Sequence, residues 1–76
     1  MNVDANRAIG RCLKETRVRQ GYTQSQLAGA LGRPQSFVSK IESGERSLHL
    51  SEIFDYAHAL DVSIGRLMRD IDAALS

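Results

Sequence analysis

The sequence predicts an all-α fold of five short helices. Residues that suit the buried face of an amphipathic helix recur at three- and four-residue spacing in five separate stretches. No four-residue stretch has the alternating β-branched pattern of a strand, and the single proline, Pro34, falls between two helical stretches. Because 76 residues of which 42 % are hydrophobic suit one core, we expect a single domain over residues 1–76.

Each helix is recognised by the positions that form its inner face. In chain order these positions are Ile9, Leu13, Thr16 and Arg17; Leu27, Ala28 and Leu31; Val38 and Ile41; Ile53, Ala57 and Leu60; and Ile64, Leu67, Met68, Ile71 and Leu75.

The residues between these faces are helix caps. Thr23 followed by Gln26 matches a capping box, in which each side chain satisfies a free backbone amide of the first turn. Glycine suits the left-handed conformation that closes a helix, and proline suits a helix start. The remaining boundary residues are Gly21, Gly32 and Gly44 as helix ends, and Pro34 and Ser63 as helix starts.

The connection between the second and third helices is very short. Only Gly32, Arg33 and Pro34 separate them, and a turn of this length containing glycine is typical of a helix-turn-helix. The small side chain of Ala28 permits the close approach that a steep helix crossing requires. The sequence therefore predicts a helix-turn-helix at helices two and three.

Charge is distributed unevenly along the chain. Residues 1–46 hold eight Lys or Arg and four acids, a net charge of +4, whereas residues 47–76 hold two Arg and five acids, a net charge of −3. A basic first half favours a polyanionic partner. With no long apolar run for a membrane span or signal peptide, we expect a cytoplasmic protein.

Motifs for catalysis and for cofactor binding are absent from the sequence. There is no P-loop, nucleophile elbow or zinc-protease motif, so we expect neither enzymatic activity nor a cofactor. One cysteine, Cys12, gives no internal disulfide. His49 and His58 lack companion ligands and are expected at helix edges rather than on a metal.

These features together resemble a known family, the lambda-repressor-like (Cro-type, xenobiotic-response-element or XRE) helix-turn-helix proteins. The resemblance covers about residues 7–68 and leaves residues 69–76 as an extension of the last helix. It is carried by Arg17-x-x-x-Gly21-Tyr22-Thr23-Gln24-x-x-Leu27-Ala28-x-x-Leu31-Gly32-x-x-Gln35-x-x-Val38-Ser39-x-Ile41-Glu42-x-Gly44-Glu45-Arg46, continued by Ala57-x-Ala59-Leu60-x-Val62-Ser63 and Leu67.

The resemblance implies a five-helix bundle that docks its third helix in the major groove of double-stranded DNA, commonly as a homodimer on a palindromic operator. Most such proteins regulate transcription, and we expect a repressor. A phage-type repressor, a restriction–modification controller and an antitoxin all remain open. The resemblance also places Cys12 at a position that is often polar, so we expect this cysteine to be partly exposed.

The residues expected to read bases lie on the outer side of the third helix, because the start of a recognition helix meets the base edges. Gln pairs with adenine, Lys with guanine, and Ser takes either role. The candidates are Gln35, Ser36, Ser39 and Lys40, with Val38 and Ile41 facing the core. For Phe37, contact with a thymine methyl and packing at the edge of the core are both open, and packing is favoured.

Phosphate contacts are expected beside this helix. Gln24 matches the family position that clamps a phosphate at the start of helix two, where the helix dipole favours an anion. Arg33, Ser43 and Arg46 occupy the turns on either side of the recognition helix. Arg11 and Arg19 are expected to be surface charges.

Two further sets have structural roles. Arg17 and Glu42 match a pair that forms a partly buried salt bridge in the family. Met68, Ile71 and Leu75 continue the apolar stripe beyond the usual core and are expected to form a dimer seam, although folding back on the first helix is the alternative. A function from another class also stays open, namely a protein-interaction module that uses Phe37 and this stripe.

Overall fold

The computed structural model describes residues 3–76 and contains five α-helices. They are α1 (Val3–Arg19), α2 (Gln24–Leu31), α3 (Gln35–Ser43), α4 (Leu50–Ala59) and α5 (Ile64–Leu75). No strand occurs within these residues, so the predicted fold class is confirmed. Every helix in this part of the chain is too short or too polar to cross a bilayer.

The predicted caps set the helix boundaries. Thr23 accepts from the backbone N–H of Gln26, whose side chain accepts from the N–H of Thr23, which completes the capping box. Gly32 and Gly44 close α2 and α3 at φ values of 66° and 84°. Ser63 accepts from the N–H of Arg66 at the start of α5. Local sequence therefore determines where the helices of the helix-turn-helix begin and end.

The core lies where the inner faces of all five helices meet. Helix α1 packs against α3 and α5, α2 packs against α3 and α4, and α4 packs against α5. The least accessible side chains come from every helix and are Leu13, Thr16, Leu27, Val38, Tyr56, Leu60 and Leu67. Helix α3 is thus held from two sides while its outer face stays open.

Gly10 allows α1 to approach the end of α3 very closely. A Cβ atom at this position would lie 2.4 Å from the carbonyl oxygen of Ile41 and 2.7 Å from that of Glu42. No side chain fits in that space, so a glycine in the middle of α1 is required by the packing of the recognition helix.

One expectation about burial is wrong, and one candidate residue of the dimer seam is buried. Cys12 is 8 % exposed rather than partly open, because it faces the core from α1, and burial raises the pKa of its thiol. Ile71 is 6 % exposed and packs in the core, as in the alternative in which this stretch folds back on the first helix, whereas the dimer seam stays a prediction. Met68 and Leu75, the other two residues of that set, are 44 % and 48 % exposed.

Candidate nucleic-acid interface

The turn between α2 and α3 presents the recognition helix to solvent. The N–H of Arg33 donates to the carbonyl of Ala28 at 2.9 Å, and Pro34 occupies the N-cap of α3 in an extended conformation. Val38 and Ile41 are buried, which fixes the rotation of α3 about its axis. The four residues predicted to read bases are all exposed on the opposite side: Gln35, Ser36, Ser39 and Lys40.

Side-chain hydrogen bonds connect the start of α2 to the start of α3. Gln35 donates through Nε2 to Oε1 of Gln24 at 3.3 Å and accepts from the hydroxyl of Ser25 at 3.1 Å. Gln24 donates in turn to Oε1 of Glu42 at 3.0 Å. A residue expected to contact phosphate is therefore joined to one expected to read a base.

The predicted pair of Arg17 and Glu42 anchors this network to α1. Nε of Arg17 donates to Oε2 of Glu42 at 2.7 Å, and Nη2 donates to Oε1 at 3.1 Å. Nη1 of Arg17 donates to the carbonyl of Tyr22 in the loop before α2, at 2.8 Å. The hydrogen bond with Glu42 raises the pKa of Arg17 against the opposing effect of burial.

Phe37 packs at the edge of the core, as the sequence favoured, and is covered by two arginines. The residue is 9 % exposed. The guanidinium carbon of Arg33 lies 4.5 Å from the ring centroid, and that of Arg46 lies 4.7 Å away. Both distances are within the range of a cation–π interaction. The ring thus forms a platform for two residues expected to contact phosphate.

Glu52 is a member of this cluster that sequence analysis did not identify. Its carboxylate, on α4, accepts from Nη2 of Arg33 at 3.0 Å and from Nη1 and Nη2 of Arg46 at 2.9 and 3.1 Å. It also accepts from the N–H of His49, which caps α4. The hydrogen bonds from Arg46, foremost, and from the N–H of His49 lower the pKa of Glu52 from 4.5 to about 2, against the opposing effect of burial.

The remaining predicted residues also lie near α3 or on the surface. Ser43 is exposed at the end of α3, and its hydroxyl donates to the carbonyl of Lys40 at 3.1 Å. His49 and His58 are exposed, as expected. Arg19 is a surface charge whose side chain is 50 % exposed and lies 3.6 Å from Asp70.

An apolar groove of about 250 Å³ lies next to the cluster around Glu52, and Arg46 is among its lining residues. It is bounded by all the helices except α2 and by the loop before α4, and its apolar lining residues are Ile9, Ile41, Leu48, Leu50, Ile53, Met68 and Ile71. Leu50 is 73 % exposed at its rim, and Phe54, one turn further along α4, is 53 % exposed. The groove joins the exposed residues of α4 to Met68 on α5.

The arrangement of α2, turn and α3 is matched by the model of the HTH_3 helix-turn-helix family, which covers residues 13–67. The chain belongs to this family. In this class of proteins, the second helix of the motif, here α3, reads the DNA. The protein is therefore a DNA-binding transcriptional regulator of the XRE type. No curated protein matches the chain.

Solved structures of related proteins agree with this assignment. The restriction-modification controller protein C.AhdI from Aeromonas hydrophila is 34 % identical, with a TM-score of 0.75 over 80 % of this chain and 92 % of that one. An XRE-family like protein from Pseudomonas syringae pv. tomato is 38 % identical, with a TM-score of 0.80 over 95 % of this chain and 88 % of that one.

A third structure shares the fold at lower identity. The clp gene regulator ClgR from Corynebacterium glutamicum is 22 % identical, with a TM-score of 0.86 over 95 % of this chain and 94 % of that one.

Proposed function

We propose that this helix-turn-helix protein is a homodimeric, sequence-specific repressor that binds a palindromic operator and has no catalytic activity. The observation that carries the proposal is the outer face of α3, where Gln35, Ser36, Ser39 and Lys40 are exposed above a buried Val38 and Ile41. A recognition helix presented in this way enters the major groove and meets base edges with its first turns.

Phosphate contacts would fix the position of that helix. Gln24 lies at the first position of α2, where backbone N–H groups without intrahelical acceptors favour an anion. Arg33 precedes α3, while Ser43 and Arg46 lie at and beyond its end. Donors from the start of α2, from the turn before α3 and from the residues at and beyond its end would hold the DNA backbone and so set the register of the helix on the duplex.

The strength required for specific binding favours two subunits. Two or three good base contacts at about 1–3 kcal/mol each give one subunit about 3–6 kcal/mol of discrimination, at the low end of the roughly 4–10 kcal/mol of specific sites. The apolar groove offers the surface for a second copy, because exposed Leu50, Met68 and Leu75 cluster around it or continue from it along α5. A symmetric contact there would form a dimer in which both α3 helices bind the same operator.

Among the three regulator types that the sequence left open, the C.AhdI match favours a restriction–modification controller acting in the cytoplasm of a bacterium. That match spans 92 % of the controller at 34 % identity. Such a regulator would act on a promoter near its own gene.

Salt dependence tests DNA binding against the alternative of a protein-interaction module. In a fluorescence-anisotropy titration of a mixed-sequence duplex, log K should fall linearly with log salt, with a slope near −0.9 for each phosphate neutralised. Arg33→Gln and Arg46→Gln should each reduce the steepness of that slope by about 1 per subunit. Arg66→Gln, on α5, is the matched control and should leave it unchanged. Absence of salt-dependent binding would contradict the proposal.

A further inference from the structure

The carboxylate of Glu52 joins two arginines that lie on opposite sides of the recognition helix in the chain. Arg33 belongs to the turn before α3, and Arg46 belongs to the loop after it. Three hydrogen bonds of 2.9 to 3.1 Å bring both guanidinium groups onto this one carboxylate. Glu52 itself lies on α4, outside the helix-turn-helix, and its side chain is only 10 % exposed.

The two arginines are held on more than one side while donors remain accessible. Each guanidinium also rests on the ring of Phe37, at 4.5 and 4.7 Å from its centroid. Their side chains are nevertheless 45 % and 31 % exposed. Each guanidinium has five N–H donors, and the carboxylate engages only some of them. Nη1 of Arg46 also donates to the carbonyl of Ser47 at 2.9 Å, and the remaining donors of the two exposed side chains are offered to an anion in solvent.

We propose that Glu52 is a positioning residue that holds Arg33 and Arg46 side by side, in the geometry required for phosphate contacts at one place beside α3. The inference rests on the proposed function, in which these arginines bind the DNA backbone. Without Glu52, both long side chains would have to be ordered when DNA binds, which costs affinity for each one. Specific binding fixes one register and needs each guanidinium in one place, whereas non-specific binding is satisfied by mobile charges.

If Glu52 acted mainly by weakening the positive charge of the two arginines, its removal would have a different effect on DNA binding. A carboxylate beside two arginines also cancels part of their charge and repels DNA. If that were its main effect, neutralising it would strengthen binding to every duplex by a similar factor. The ratio of affinities for specific and non-specific duplexes therefore separates positioning from charge.

The test uses Glu52→Gln and a matched control, Asp55→Asn. Glutamine preserves the capping-box position of α4 and removes the charge that holds the arginines. Asp55 is exposed on the same helix and lines a small cavity with Arg33, Phe37 and Glu52, but among the described residues it forms no ion pair with either arginine. Both variants remove one negative charge from the same region.

Affinities are measured for a duplex selected from a random pool by the wild-type protein and for the same duplex with its selected positions scrambled. The affinity ratio should fall about tenfold in Glu52→Gln and stay within about twofold of wild type in Asp55→Asn. Partial unfolding of a variant would weaken binding to both duplexes equally and leave the ratio unchanged, and thermal melting reports that effect separately.

Two results would overturn the inference. An unchanged ratio in Glu52→Gln, with or without tighter binding to both duplexes, would show that Glu52 acts only through charge or stability. If the wild-type protein selects no duplex at all, the proposed function fails first, and the positioning role fails with it.

Discussion

Arg17 and Glu42 form a nearly buried ion pair that joins the first helix to the end of the recognition helix. Their side chains are 9 % and 4 % exposed. The same carboxylate also accepts from Gln24. Residues from α1, α2 and α3 therefore meet at the Glu42 carboxylate, which ties the recognition helix to the two helices before it.

The first prediction concerns this ion pair. Arg17→Ala leaves the Glu42 carboxylate buried without its partner, and breaking a buried pair in this way typically costs about 3–5 kcal/mol of unfolding free energy. Thermal melting should therefore show a large loss of stability before base preference changes. Unchanged melting accompanied by lost DNA binding would show that Arg17 acts at the interface instead.

The second prediction compares two glycines in helices. Gly10→Ala forces a Cβ atom against two backbone carbonyls of α3 and should destabilise the fold by about 1–3 kcal/mol, despite the better helix propensity of alanine. Gly29→Ala is the control, because nothing lies within 4 Å of a Cβ atom there. It should stabilise α2 by about 0.5–1 kcal/mol. Equal melting temperatures for the two variants would rule out the close packing of α1 on α3.

The third prediction separates Gln35 from Gln24. Gln35→Ala should relax base preference at one operator position by about 1–3 kcal/mol, and Lys40→Ala should do so at another. Gln24→Ala should weaken binding to all duplexes as a lost phosphate contact. Because Gln35 donates to Gln24, Gln24→Ala should also weaken base preference at the operator position that Gln35 contacts. Competition binding with single-base operator variants distinguishes these effects, and identical profiles for all three variants would count against the assignment.

The fourth prediction concerns self-association. Met68→Glu and Leu75→Glu place a charge on the exposed apolar surface of α5 and should convert the dimer to a monomer in sedimentation experiments. Val18→Glu is the matched control, since Val18 is 60 % exposed on α1 and does not line the groove. A wild-type monomer at high micromolar concentration would refute the proposed seam.

Local sequence was sufficient to predict most of the fold. Thr23, Gly32, Gly44 and Ser63 act as caps, and they could be predicted because capping depends on residues within one turn. The short turn at Gly32 then leaves few ways to arrange α2 and α3. The exposed face of α3 could be predicted because helical periodicity places its remaining polar residues opposite the buried Val38 and Ile41.

Tertiary contacts account for what the sequence did not predict. Glu52 lies 19 residues from Arg33, and only the packing of α4 beside the turn brings their side chains together. The residues around Gly10 in the sequence do not indicate that two backbone carbonyls of α3 pack against it. Cys12 was placed too far outward because the buried face of a helix widens when two neighbours pack on it, as α3 and α5 do on α1.

The most direct test of the central claim is selection of bound sites from random duplex DNA by the wild-type protein. We expect enrichment of an inverted repeat whose half-sites are separated by about one helical turn, 10–10.5 base pairs centre to centre, with bound complexes containing two subunits. Recovery of unenriched sequences, or of no DNA, would contradict it.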